Sequence, residues 1–212
     1  MTDFEFNKDF VIYKLVNKDH NKELLESVPY VDYLDMAIIF YQACKDFDPE
    51  NGGSCKLITN KLLENSHLRL TDLMQYASEN TPRLLGLKIN GILTSIAEYS
   101  GDYRFLELIG LEEDMFPLYV ASNRIQANGA AVILYKDMLN AMAAKLKSDL
   151  YVIPCSIHEV ILVKVMKNCQ MNTAELRRLI NEVNHYELRF SDVLSDSLYY
   201  FSRSTGVLSY AQ

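Results

Sequence analysis

The residues with the most chemical capacity at close spacing are Cys155, Ser156, His158 and Glu159, set between two apolar runs. An imidazole can act as a general base, and a thiol or hydroxyl beside it can attack an electrophile. The set therefore permits a hydrolase or transferase in which His158 activates Cys155 or Ser156. A thiolate paired with histidine is competent for that step. Two features oppose it. Neighbouring residues of an extended chain point to opposite faces, so His158 and Glu159 are expected to diverge. No third residue is identifiable that would orient the imidazole. The plainer expectation is that Ser156 and His158 hydrogen-bond the backbone of a turn while Glu159 faces solvent or pairs with a lysine. It carries more weight, because isolated short motifs are weak signals.

Metal chemistry is not expected. A zinc-binding His-Glu-x-x-His on a helix would need a second histidine where Leu162 stands. The four cysteines, Cys44, Cys55, Cys155 and Cys169, form no Cys-x-x-Cys pair and have no histidine at ligand spacing. Free thiols and no cofactor follow.

Two further polar stretches are candidates for contacting a ligand or partner. In Asn80-Thr81-Pro82-Arg83 the Arg83 guanidinium and Thr81 hydroxyl could hold an anion. The alternative, which the cap preferences favour, is a helix stop, with Asn80 as C-cap and Thr81 extended before the proline. The second stretch, Asn123 to Gly129, carries Arg124, Gln126 and Asn128. It lacks the glycine spacing and the Lys-Ser/Thr pair of a phosphate loop. Its plainer reading is a hairpin connection with Gly129 at a positive φ.

The elements that must position these residues centre on Leu118 to Val165. Leu118–Ala121 and Val132–Tyr135 read as strands, the second buried on both faces. From Asp137, a predicted N-cap, Met138, Leu139, Met142 and Leu146 recur at helical spacing. Leu150–Ile153 and Glu159–Val165 are two more strands, separated at Pro154, which cannot donate to a ladder. Around this core, Phe10–Val16 and Leu34–Cys44 predict an antiparallel pair with a long connection, the second also fitting a helix from Tyr33. Lys22–Leu25 predicts a short helix closed by Pro29, and 46–54 a loop leading to a short strand at 55–59. A helix capped by Thr71 is expected to stop near Asn80, and Leu84–Tyr99 is ambiguous because of Gly86 and Gly91. Phe105–Met115 reads as a short helix or turn. Asn172 with Glu175 forms a capping-box pattern opening a helix that buries Leu176, Leu179, Ile180 and Val183. A terminal hairpin turns at Gly206. The expected fold is α+β, one domain over residues 1–212, with a mixed, mostly antiparallel sheet and helices packed on it.

Composition excludes several function classes. The chain has 212 residues, 49% hydrophobic and 23% charged, ordinary for a globular protein able to bury a large core. A net charge of −7 opposes non-specific nucleic-acid binding, which needs cationic side chains against phosphates. The charge also admits a basic protein partner. No apolar run approaches the roughly 18 residues of a membrane span. The start, Met1-Thr2-Asp3-Phe4-Glu5, lacks the basic and apolar regions of a signal peptide, so a cytoplasmic location is expected.

Certain phrases, in order and spacing, resemble a known bacterial family. They are Leu15-Val16-Asn17, Asn21-Lys22-Glu23-Leu24-Leu25, Val28-Pro29, Asp35-Met36-Ala37, Glu79-Asn80-Thr81-Pro82 and, above all, Pro154-Cys155-Ser156-Ile157-His158-Glu159-Val160. The family is domain-of-unknown-function family 5688, and the resemblance runs from about Val11 to Tyr200. Tyr119–Ser122, Gly129-Ala130 and Glu182-Val183-Asn184 fall at the corresponding places. Members usually carry a further N-terminal region, so the resemblance is to the C-terminal part of a longer protein. Cys155 stands where the family tends to have serine. The resemblance implies a bacterial origin and a mixed fold, and no particular reaction.

Three functions are carried forward. The first is a non-catalytic protein-interaction module, encoded on a phage or mobile element and binding a host or defence protein, with an anti-defence or regulatory role. The second is the hydrolase or transferase at Cys155, Ser156 and His158. The third is a small-ligand module whose pocket lies between the loops at Asn80/Arg83 and Asn123/Arg124/Asn128.

Overall fold

The computed structural model describes residues 6–44, 46–104, 117–154, 156–166 and 172–212. The first sheet is built around β3 (Met36–Ala43), which has β1 (Val11–Asn17) on one edge. Its other edge is shared end to end by β2 (Tyr30–Tyr33) and β4 (Cys55–Leu57), all pairings being antiparallel. The sequence signal for β3 is a near-continuous apolar run, and the reason is visible. Met36, Ile38 and Phe40 enter one core while Ala37 and Ile39 enter another, closed by Leu25 and Val28 from α1 (Lys22–Ser27) and the chain after it. A strand covered on both faces has no polar side to show.

A second, six-stranded antiparallel sheet holds β5 (Lys88–Gly91), β6 (Leu118–Ser122), β7 (Leu150–Ile153), β8 (Val160–Lys164), β9 (Tyr199–Ser202) and β10 (Val207–Tyr210). Its order is β10-β9-β7-β8-β6-β5. Here the alternation is plain. Leu150 and Val152 point into the main core, whereas Tyr151 and Ile153 meet Leu176 and Ile180 of a long helix, α6 (Thr173–Tyr186). One apolar cluster joins the facing sides of both sheets, with Leu139 and Met142 of α5 (Met138–Leu146) inside it. The fold is α+β with antiparallel sheets and helices packed on them, as the residue pattern predicts.

Several local expectations are corrected. Val132–Tyr135 is not a strand; Gly129–Leu134 forms a 3-10 helix whose residues Gly129 to Ile133 are all buried. An apolar run covered on every side has no periodicity to separate strand from helix, and the small Gly129-Ala130-Ala131 favours the tighter turn. Asp137 sits at φ 60° and makes no side-chain cap to α5; its carbonyl accepts the Ala141 N–H instead. Thr71 is not the N-cap of α3 (Leu70–Leu85). Arg69 holds that position, and the Asp72 carboxylate accepts its backbone N–H at 2.9 Å. Nor does α3 stop near Asn80. It runs through Pro82 to Leu85 and ends at Gly86, φ 64°.

The ambiguous stretch after Gly86 divides into β5 and α4 (Ile92–Ser100). A helix absent from the sequence reading, α2 (Asn60–Asn65), is capped by the Thr59 hydroxyl, which accepts the Leu62 N–H. In α6, Asn172 caps as expected, accepting the Ala174 and Glu175 N–H groups. Leu179, however, is exposed, and Ile180 with Asn184 forms the buried face. The expected helix or turn at 105–115 lies outside the described residues.

Candidate functional site

His158 occupies the turn between β7 and β8, as the sequence places it. Its imidazole is oriented by the chain 30 positions earlier: the Asn128 N–H donates to Nδ1 at 3.2 Å. A neutral ring that accepts at Nδ1 carries its proton on Nε2. That nitrogen faces the Asp192 carboxylate, with Oδ1 3.9 Å away. Ser156 is buried, and its hydroxyl accepts the backbone N–H of His158 at 3.0 Å. The Ser156 N–H donates to the Glu159 carbonyl at 3.3 Å, closing the turn. Among the described residues no hydrogen bond joins the Ser156 hydroxyl to the imidazole, the contact a Ser–His nucleophile requires. Glu159 is half-buried, and Cys155 lies outside the described residues. Burial pushes the Cys55 thiol up, disfavouring its nucleophilic form.

The loop from Ser122 to Gly129 packs on this turn, so two of the three sequence candidates meet. The Ser122 hydroxyl donates to the His158 carbonyl at 2.8 Å, and the Ala130 N–H donates to the Ile157 carbonyl at 3.1 Å. Asn123 is buried and braces the loop: Nδ2 donates to the Ala127 carbonyl and Oδ1 accepts the Ala127 N–H. Asn128 takes the left-handed conformation at φ 52°. Arg124 turns the other way, donating its N–H to the Leu85 carbonyl at 3.0 Å and pairing with Glu50 at 3.6 Å. Its guanidinium crosses Gly86, where an added Cβ would stand 2.1 Å from Nε.

Asn80 and Arg83 face another part of the chain. Asn80 Nδ2 donates to the Lys8 carbonyl at 2.7 Å. Arg83 donates to the Asp9 carbonyl and to Asn80 Oδ1. Both hold the N-terminal 3-10 turn Lys8–Phe10 against α3. Thr81 between them is fully buried; it accepts the Tyr13 N–H from the outer edge of β1 and donates to the Ala77 carbonyl. These contacts hold α3 helical through Pro82, because Asn80, Thr81 and Arg83 each bond to the chain outside the helix.

Two constellations were not anticipated. Asp35, in the β2–β3 turn, accepts from the Ser195 hydroxyl at 2.7 Å, the Ser197 hydroxyl at 2.8 Å and the Tyr199 hydroxyl. Its partners lie about 160 positions away, so no local pattern marks the set. The other is a groove of about 280 Å³ beside the C-terminal end of α6, lined by His20, Asn181, Asn184, His185, Phe190 and Asp196 among others. The rings of His20 and Phe190 stack at 4.0 Å between centroids and 21° between planes. Phe190 remains 68% exposed. The signal for this groove was the run of polar residues on one side of α6 next to an isolated aromatic, which reads in sequence as ordinary surface.

Among the described residues no cluster of three or more His, Cys, Asp or Glu side chains is placed to hold a metal ion. No described helix is long and apolar enough to cross a membrane. Comparison with curated proteins and with solved structures finds no match. A family model does match, over residues 1–203. The chain therefore belongs to the Family of unknown function (DUF5688).

Proposed function

We propose that this protein is a non-catalytic protein-interaction module, bacterial or encoded by a phage or mobile element, and that it engages its partner through the groove beside α6. The observation that carries this reading is the groove itself, open to solvent with the exposed Phe190 at its margin. Side chains at protein interfaces are enriched in such aromatic anchors, which give large contact area for little rotamer entropy. The groove holds about 280 Å³.

The test is site-specific photo-crosslinking in lysate of the source cell. A photoreactive phenylalanine replaces Phe190 in one variant and Tyr99, which is 97% exposed, in another. A discrete adduct at position 190 that is missing at position 99 supports the proposal. Equal or no labelling at the two positions overturns it.

A further inference from the structure

β10 is an edge of the six-stranded sheet, paired on one side with β9. The Ala211 N–H donates to the Leu198 carbonyl, so the residues of β10 that share its parity, Val207 and Ser209, spend their backbone groups on β9. The N–H and C=O groups of Leu208 and Tyr210 therefore point off the edge, and among the described residues nothing bonds them. We infer that β10 pairs antiparallel with β10 of a second copy of this chain, so that the sheet continues across a two-fold axis at Ser209. This surface is separate from the groove beside α6.

Exposed edges invite pairing, and folded chains usually blunt them with charge or cover them. The other strand edges among the described residues are treated in this way. α3 covers β1, with Thr81 accepting the Tyr13 N–H. β2 carries Asp32, β4 carries Lys56 and β5 carries Lys88. β10 is Val207-Leu208-Ser209-Tyr210, with neither charge nor proline, and its Val207 and Tyr210 side chains are exposed.

Register commits this edge to its own copy. A two-fold axis through Ser209 sets Leu208 against Tyr210 of the second copy, and that register uses every outward N–H and C=O of β10 on both copies. Ser209 then meets its counterpart on the axis as a non-hydrogen-bonded pair, where side chains stand closest and a small hydroxyl fits. On the face shared with Phe201 and Tyr199, Leu208 lies beside the second copy's Tyr210. On the other face, the exposed Val207 lies beside the second copy's Ala211. No charged side chain of β10 meets its like, which matters in a chain of net charge −7.

The experiment follows the mass of the intact protein by sedimentation over a concentration series. The mass should rise reversibly from monomer towards dimer. Ser209 is exposed, so Ser209→Lys leaves the monomer folded while setting like charges against each other on the axis. It should raise the dimer dissociation constant about tenfold, and mixing it with Ser209→Glu should restore association. With diamide as oxidant, Ser209→Cys should cross-link to its own copy, because a non-hydrogen-bonded pair holds its Cα atoms within disulfide reach. Val207→Cys and the parent, with its native cysteines, should not. A protein that stays monomeric at every concentration, whether or not it takes up an added peptide strand, overturns the inference. So does self-association that ignores Ser209→Lys, or equal cross-linking at positions 207 and 209. Self-association abolished by Phe190→Ala places the contact between copies in the groove, and also overturns it.

Discussion

The backbone N–H of Asn128 donates to Nδ1 of His158 at 3.2 Å, so a residue in the loop after β6 sets the orientation of the imidazole between β7 and β8. The hydrogen bond makes His158 part of the packing between loop and turn. His158→Ala removes the acceptor from a half-buried N–H, which costs about 1 kcal/mol. Urea denaturation should show a lower midpoint with an unchanged slope. An unchanged midpoint would mean that water replaces the imidazole at no cost.

Gly129 lies where loop and turn come closest. A Cβ there would stand 2.6 Å from the His158 carbonyl oxygen and 2.7 Å from the Asn123 nitrogen, both backbone atoms that cannot swing aside. Gly129→Ala should therefore destabilise by about 1–3 kcal/mol through overpacking. The thermal midpoint would report it, and a variant melting with the parent would show that the two segments separate easily.

Thr81 serves two buried partners at once, the Tyr13 N–H at 3.1 Å and the Ala77 carbonyl at 2.6 Å. Thr81→Val keeps the shape and strands the Tyr13 N–H on the edge of β1, at about 1–3 kcal/mol. Thr81→Ser should restore most of the loss. Hydrogen exchange at Tyr13 is the direct measurement: faster in valine, near the parent rate in serine.

Asp35 ties the β2–β3 turn of the first sheet to the segment entering β9 of the second, through Ser195, Ser197 and Tyr199. Charge-assisted bonds exceed neutral ones, and Asp35→Ala leaves three hydroxyls without their shared acceptor. A loss of about 2 kcal/mol is expected by chemical denaturation. A smaller effect than that of Tyr199→Phe would place the strength of the junction in the Tyr199–Ser195 contact instead.

Alkaline pH should weaken the fold through its tyrosines. Burial pushes the phenols of Tyr13, Tyr135 and Tyr199 well above the usual value of 10.0. The Asp149 carboxylate, accepting its hydroxyl, moves Tyr200 up to about 12. The protonated phenol is the form the fold favours, so its stabilising contribution is complete below pH 10 and is lost as pH rises through the folded-state value. For Tyr200 the window is pH 10 to 12. Absorbance at 295 nm should rise in two stages, exposed phenols first and the buried ones with unfolding. A single-stage titration near pH 10 would contradict the burial of these rings.

What could be read along the chain was whatever depends on near neighbours. The antiparallel partners β1 and β3, the strands β7 and β8 on either side of Pro154, the terminal hairpin and the Asn172 cap were all legible, because side-chain alternation, a missing N–H or a short polar side chain acts within a few residues. The amino-acid order by itself thus determined the α+β class and the turn carrying Ser156 and His158. Tertiary structure decided the rest. It made a 3-10 turn of Val132–Leu134, since an apolar run encloses no record of its own conformation once every side is buried. It carried α3 past Pro82, since Asn80, Thr81 and Arg83 bond to the β1 region some 70 positions away. The same physics gathered Asp35 with Tyr199 and His20 with Phe190. Such pairs form only when the whole core closes, because the energy that selects them comes from surfaces far apart in the chain.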